Sequence, residues 1–411
     1  MFIDNQDDQM IIDSLHDFVD KEIMPIQARI QAELNDQRLY YDGDGKEVPA
    51  ITEARREARM KSAEAGYYTM FCPKEFGGSE LGIRLWFLCN ESLWHRYGPP
   101  ATQLPHYILS HFTSGPHEVW AHASPALKAE VIPDLANGRL RGAFGLTEPD
   151  AGSDSWMMRT TAVRDGDHWI INGSKQWTSN SPTADFIMVY AVTDRELASQ
   201  RRGGITCFYV PTSTPGYRLE SVIKIFGHLG GNEGILSFTD VRVPDTYRVG
   251  EVNRGFDLAM LGVRHGRMAN AGRTLGQARW ALEKAIDYAK VRRTFGKTLS
   301  EHQTIQNYLA ECGTKLYAAR AMALDCGRKA DEGRDVRTEV SMLKLFATRA
   351  AFEVIDTSMQ IHGAMGFANE THLFEAWCQA RMTHVTEGTN EIQLRHIAKN
   401  ILKGRVDLSF A

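Results

Sequence analysis

Apolar residues recur at helical spacing through the first ~140 positions; Ile11, Ile12, Leu15, Phe18 and Val19 fall on one face. Ser124-Pro125, then Leu127, Val131 and Leu135, then Asn137-Gly138, place start and stop signals in helical order. Residues 55–61 form a charge run that reads as a solvated helix face, and residues 40–48, polar and glycine-containing, read as a loop. Near Gly142 the pattern changes to short β-branched and aromatic runs at 159–164, 168–171, 185–192, 204–210, 218–225 and 235–241. Asp165-Gly166 and Asn172-Gly173 supply the positive-φ positions of tight hairpin turns around the second run. From Gly255 the strand signals stop. Ile305, Leu309, Leu316, Ala319 and Ala323, then Leu343, Phe346, Ala350, Val354 and Ile361, mark helices long enough for a four-helix bundle, with shorter ones around Trp280 and Ile392.

This order predicts an α+β multidomain chain: a helical domain over 1–141, a β-barrel or sandwich over 142–250 and a helical bundle over 251–411. Strands and helices do not alternate, no Gly-x-Gly-x-x-Gly follows a strand, and 227–231 reads as a turn, so a nucleotide-binding parallel sheet is not expected.

Composition narrows the classes further. The 411 residues are 43% hydrophobic and 24% charged, as in ordinary globular proteins. Forty-seven basic against 51 acidic residues leave a net charge of −4, which offers no footprint for a nucleic-acid partner. No run approaches the ~18 apolar residues of a membrane span. The acidic start, Met1 to Asp8, lacks signal or transit character, so a cytoplasmic protein is expected. Six cysteines without a Cys-x-x-Cys pair read as reduced, partly buried thiols, and 14 scattered histidines predict no metal site.

Four segments carry candidate chemistry. Phe144-Gly145-Leu146-Thr147-Glu148-Pro149-Asp150-Ala151-Gly152-Ser153-Asp154 offers backbone N–H groups and hydroxyls to a planar heterocycle, though most loops of this composition are simply turns. In Lys175-Gln176-Trp177-Thr178-Ser179-Asn180 the indole suits either a stacked flavin or a half-buried strand position. Arg292-Arg293-Thr294-Phe295-Gly296 with His302-Gln303 places cations where they can complement a helix dipole or clamp a pyrophosphate. Gln360-Ile361-His362-Gly363-Ala364-Met365-Gly366-Phe367 ends a helix in small residues, and Glu387-Gly388-Thr389-Asn390-Glu391 precedes another, with Thr389 or Asn390 as its cap.

Taken in order and spacing, these segments resemble the acyl-CoA dehydrogenase family along nearly the whole chain; Pro73-Lys74-Glu75-Phe76-Gly77-Gly78 and Phe238 to Pro244 are similar to it as well. The resemblance implies a helical N-terminal domain, a β-barrel, a C-terminal four-helix bundle, bound FAD and a homotetramer built as a dimer of dimers. It implies that Phe144, Leu146, Thr147, Gly152 and Ser153 line the flavin and the acyl thioester, and that Trp177, Thr178 and Ser179 contact the isoalloxazine. Arg292, Thr294, Phe295, Gln303, Gln360, Gly363 and Ala364 would hold the dinucleotide end, partly across a subunit interface, with Thr389 and Glu391 again at the cofactor. Ser153, Arg264, Arg267 and Gly388 would face an acyl-CoA substrate. Glu387 matches the family's usual base, which removes the α proton while flavin N5 takes hydride from the β carbon, giving a trans-2-enoyl thioester and passing electrons to an electron-transfer flavoprotein. The position that some relatives use for the base instead falls on Gly266, before Arg267.

The sequence departs from the family's pattern at Met157, Ala364, Glu375, Thr386 and Arg264. Arg264 and Thr386 bear on the acyl group: an added cation suits a carboxylated or polar chain, or simply faces solvent. The competing functions are a same-fold flavin oxidase, monooxygenase or desulfinase, and a non-catalytic flavoprotein that binds DNA or a protein partner.

Overall fold

In the computed structural model residues 5–101, 103–111 and 114–406 are described, apart from the side chains of Ala101 and Arg264. The chain forms two compact units, one from Met1–Val19, Leu81–His106 and Arg264–Ala411, the other from Asp20–Glu80 and Tyr107–Val263.

The first unit is helical. In the Gln6–Phe18 helix the Asn5 side chain caps the start by accepting from Asp7 N, and Ile12 and Leu15 are buried. Helices Gln303–Asp331 and Arg337–His362 bury Leu316, Ala319 and Ala323, and Leu343, Ala350 and Val354, as their spacing predicts, but Phe346, three residues on from Leu343, is exposed at the edge of that stripe. The long helix Gly255–Val291 meets Ile83–Ala101 through two glycines. A methyl at Gly276 would stand 2.4 Å from the Glu91 carbonyl oxygen, and one at Gly272 2.8 Å from that of Phe87, so only glycine allows this approach. Glu91 is buried there and accepts from Arg320 Nε at both carboxylate oxygens, at 3.0 and 2.9 Å. Helices Leu373–Thr383 and Asn390–Leu402 complete this unit.

The second unit is built on an eight-stranded sheet: β1 (Gly142–Gly145), β2 (Thr161–Asp165), β3 (His168–Ser179), β4 (Phe186–Val192), β5 (Ile205–Pro211), β6 (Tyr217–Ile223), β7 (Glu233–Pro244) and β8 (Arg248–Val249), in the order β6-β7-β3-β2-β4-β5-β8 with β1 parallel to β4. β4 is buried along its whole length because both its faces are covered. Ile187, Val189 and Ala191 join Trp169, Ile171, Phe208, Leu236 and Val241 in one core. Phe186, Met188 and Tyr190 face Trp120 and Leu127, Val131 and Leu135 of the Pro125–Ala136 helix, which Ser124 caps by accepting from Leu127 N.

Two sequence expectations fail here. Asn172-Gly173 does not close a hairpin; β3 runs through it to Ser179, with a register shift against β7 between Ile171 and Gly173. Gly173, at φ 146, lets the chain pass Thr160, whose Oγ1 would lie 2.5 Å from an added Cβ, and Asn172 is held by Asp240 across the strands. Residues 55–61 are not all solvated. Arg55 is buried against Glu47 and beneath the Tyr107 ring, and buried Arg59 donates to the Gly138 carbonyl at 3.1 Å. All six cysteines are free and fully buried.

Candidate active site

The turn leading into the Asn390–Leu402 helix fixes one carboxylate. Thr389 caps the helix, its hydroxyl accepting from Ile392 N at 3.3 Å. Glu387 lies in the left-handed region at φ 56, followed by Gly388 at φ 87. Such a backbone costs a non-glycine residue about 1–3 kcal/mol and persists only where its surroundings hold it. Arg267 Nε donates to the Glu387 carbonyl at 3.1 Å, Gln393 Nε2 to the Gly388 carbonyl at 2.9 Å, and Asn390 N to the His384 carbonyl at 2.9 Å, closing the loop. From the Arg337–His362 helix, Lys344 Nζ and Thr348 Oγ1 both donate to Asn390 Oδ1, at 3.0 and 3.3 Å. His384 Nε2 in turn lies 3.1 Å from the Thr348 carbonyl.

Desolvation pushes the Glu387 carboxyl up to about 7, against Arg267, Arg273 and Lys344, which pull it down. The residue is half-buried rather than sealed off. A carboxylate that titrates near neutrality and still has an open side is suited to take a proton from a weak carbon acid.

In the second unit, the chain leaving β1 is tied to β3 by a buried ion pair. Lys175 Nζ donates to Glu148 Oε1 at 2.8 Å and to the Leu146 carbonyl at 3.1 Å, and Glu148 also accepts from Arg159 N and Thr160 N at 2.6 and 3.0 Å. Burial pulls the Lys175 ammonium down, to about 8, against Glu148's hold on it. Burial alone would raise Glu148, but Lys175 and the backbone donors outweigh it and keep the carboxyl below its ordinary range. Gln176 N donates to the Thr147 carbonyl at 2.9 Å, adding a second tie. The β3–β7 register slips between Lys175 and Thr178, and within that bulge Trp177 takes φ 58 and leaves its ring half exposed. Thr178 turns inward, and its buried hydroxyl has no partner among the described residues. Ser179 is exposed and reaches Glu233 Oε1 at 3.4 Å. Phe144 rests on the Tyr190 ring with centroids 4.9 Å apart, Leu146 is buried, Thr147 is half-buried, and Gly152 and Ser153 are exposed.

A third group gathers at one end of the first unit. There Tyr288, Leu299, Ile305 and Leu309 pack on Ala285, Ala289 and Ile361, and the Tyr288 ring stacks on His362 at 4.6 Å. This cluster draws the ends of three helices and the hairpin Arg293–Thr294/Lys297–Thr298 together. Around it lie exposed Arg292, Gln303, Gln360, Gly363 and Ala364, half-buried Thr294, and Phe295, 96% exposed. Gln360 and Lys344 are about 24 Å apart along their helix at 1.5 Å per residue, so this surface is distinct from the Glu387 loop.

Of the remaining predicted residues, Glu391 is exposed on the first turn after Thr389, and Arg264 lies on the Gly255–Val291 helix with its side chain outside the described residues. Met157 and Thr386 are exposed, and Glu375 faces His372 at 3.4 Å. Sequence reasoning did not single out Glu148 and Lys175 as a pair, nor Lys344 or Gln393. The partners of Lys175 and Lys344 lie far along the chain, and an isolated lysine inside a periodic run carries no local signal of burial; Gln393 bonds back to Gly388 across the turn, which the motif's residue types do not announce.

Three profiles match the chain in succession: the N-terminal domain of acyl-CoA dehydrogenases over residues 5–139, the middle domain over 143–241 and the C-terminal domain over 253–402. A 3-(aryl)acrylate reductase of Clostridium sporogenes is 31% identical over 400 residues, spanning 94% of this chain and 96% of that one. The human mitochondrial short-chain specific acyl-CoA dehydrogenase is 31% identical over 395 residues, spanning 96% of this chain and 90% of its own. The solved acyl-CoA dehydrogenase of Geobacillus kaustophilus superposes with a TM-score of 0.83 at 27% identity, covering 97% of this chain and 98% of its own.

Proposed function

The chain belongs to the acyl-CoA dehydrogenase family, FAD-dependent oxidoreductases that act on CH–CH bonds, and on that premise we propose that it desaturates an acyl-CoA thioester between the α and β carbons, with Glu387 as the base. The observation that carries this reading is the Glu387 carboxyl itself, held on a left-handed backbone by Arg267 and pushed up to about 7 by desolvation.

The residues present fit FAD. The half-exposed Trp177 ring offers a stacking face, and the buried, unpartnered Thr178 hydroxyl has capacity for a ligand's polar edge. Phe144, Leu146, Thr147, Gly152, Ser153 and Ser179 would complete the flavin side. The exposed cluster of Arg292, Thr294, Phe295, Gln303, Gln360, Gly363 and Ala364 would hold the dinucleotide end of a second subunit's cofactor, its distance from Glu387 supporting a site shared between copies. Thr389 and Glu391 would contact the cofactor beside the base. When bound, FAD accepts the hydride that leaves the β carbon.

The protein's own part is proton and charge handling. Glu387 takes the α proton, and its own N–H, which has no acceptor among the described residues, donates to the thioester oxygen as negative charge develops there. Ser153, Arg264, Arg267 and Gly388 would line the acyl-CoA, and an electron-transfer flavoprotein would take the electrons. Apolar Val291, Phe295 and Phe367, at least 73% exposed at the shared surface, support a tetramer. Three domains, 1–141, 142–250 and 251–411, and a cytoplasmic location belong to the same reading; among the described residues no helix is long and apolar enough to cross a membrane. Anaerobic mixing of the purified holoprotein with a panel of acyl-CoAs tests it: at least one bleaches the flavin, and bleaching by none of a chemically broad panel overturns it.

A further inference from the structure

Lys344 is a costly residue for its place. It lies in the Arg337–His362 helix with 1% of its surface exposed, and among the described residues its three N–H donors find a single acceptor, Asn390 Oδ1, at 3.0 Å. A structural contact of that kind needs no ammonium, and an apolar side chain would cost less to bury. Its acceptor is informative. Asn390 is the first residue of the helix that follows the Glu387 loop, and its N–H closes that loop on His384. One turn along from Lys344, Thr348 adds its hydroxyl to the same Asn390 oxygen and receives His384 Nε2 at its carbonyl. Both ends of the loop are therefore fastened to two residues one helical turn apart.

We propose that Lys344 and Thr348 form a clamp that positions the Glu387 loop, with Lys344 also supplying a buried positive charge that keeps the carboxylate ionisable. The charged and titratable groups around the loop come from four elements: Arg267 and Arg273 from the Gly255–Val291 helix, Lys344 and Arg349 from Arg337–His362, His384 from the loop, and Glu391 and His396 from the helix beyond it. Arg267 holds the Glu387 main-chain carbonyl, so it fixes the backbone from the side opposite in sequence to the Asn390 anchor. Lys344 is the member of the set whose ammonium contacts the loop through a single neutral oxygen; burial and Arg267 pull that ammonium down to about 8, against Glu387 and Glu391, so its charge is present below that pH and fades above it. Thr348 contributes geometry without charge.

The inference rests on Glu387 being the base, and the experiment keeps the two apart. The holoenzyme, E387Q, K344M and T348V are mixed anaerobically with an acyl-CoA that reduces the wild-type flavin, across pH 6 to 9. Glu387→Gln tests the base: if it reduces flavin at the wild-type rate, that reading fails whatever Lys344 does. With E387Q inactive, Lys344→Met is expected to retain FAD, to keep KM within about twofold, and to reduce flavin ~10- to 100-fold more slowly, the cost of a misplaced base. Its pH profile should also shift upward by about one unit, because removal of a cation raises a neighbouring carboxyl. Thr348→Val, which keeps the charge, is expected to slow reduction by a smaller factor with an unshifted profile. A K344M enzyme with wild-type rate and pH profile overturns the proposal. Should K344M not fold, T348V decides alone: reduction at the wild-type rate overturns the clamp, and a slowed rate with full FAD content and an unshifted profile supports it.

Discussion

Arg267 and Glu387 are 120 positions apart in the chain, and the Arg267 Nε donates to the Glu387 main-chain carbonyl at 3.1 Å. The bond goes to the backbone and not to the carboxylate, so the cation fixes where the side chain starts while its charge still bears on the carboxyl, which desolvation outweighs. Burial in turn lowers Arg267's own affinity for its proton, and Glu387 opposes that. Arg267 thus bears on both the position of the Glu387 side chain and its titration, the latter set first by burial.

Replacement Glu387→Gln keeps the shape of the side chain and removes the proton acceptor. FAD content and the visible spectrum of the oxidised protein should stay as in the wild type, while the first-order rate of flavin reduction by a turnover substrate falls by about 10²–10⁴. Stopped-flow absorbance at the flavin band measures it.

The pH dependence follows from the raised carboxyl. Glu387 accepts a proton only when ionised, so flavin reduction should rise with pH, reach half its plateau at about pH 7, and lose that limb in E387Q. Stability runs the other way. With its folded value above the ordinary 4.5, this carboxyl contributes most below 4.5, and that contribution is lost as pH rises through about 7. E387Q should therefore melt higher than the wild type at pH 8 and show no such gain at pH 4.5, by thermal scans at matched FAD saturation.

Breaking the Lys175–Glu148 pair from one side leaves a buried charge uncompensated. Lys175→Met should cost about 3–5 kcal/mol in urea unfolding, and the double change K175M with Glu148→Met should recover a large part of it. A double variant as unstable as the sum of the two single ones would show that the ties to Leu146, Arg159 and Thr160 outweigh the pairing itself.

Thr178→Val removes a buried hydroxyl that has no partner within the described protein. The apoprotein should be as stable as the wild type or slightly more so, since nothing is left unpaired. FAD should bind about 5- to 10-fold more weakly, one neutral hydrogen bond's worth, by fluorescence titration. An unchanged affinity would remove Thr178 from the flavin site.

Local signals announced themselves well. Ser124 and Thr389 cap the helices that their sequences announce, and of the periodic apolar residues of Gln303–Asp331 and Arg337–His362 most are buried, while Ile305 and Leu309 are half-buried and Phe346 is exposed. Glu387 is singled out through its resemblance to a contiguous family motif, and the structure places that motif in a left-handed turn. What could not be read depends on distant pairing. Arg55 looked solvated until Glu47 and Tyr107 closed over it, and Asn172-Gly173 carried a turn signature that Thr160 and Asp240 turn into a strand irregularity. Glu148 and Lys175 share the same difficulty: neither charge shows, in its own neighbourhood, that the other will neutralise it.

The backbone at Glu387 also limits what can ever replace it. With φ 56 there and φ 87 at the following glycine, β-branched side chains are excluded on steric grounds alone, while asparagine, aspartate and glycine are tolerated. Of these only aspartate carries a carboxylate, one methylene shorter. Mutational drift at this position therefore has a narrow set of exits, and nearly every one that preserves the turn shortens the reach of the acid or abolishes it.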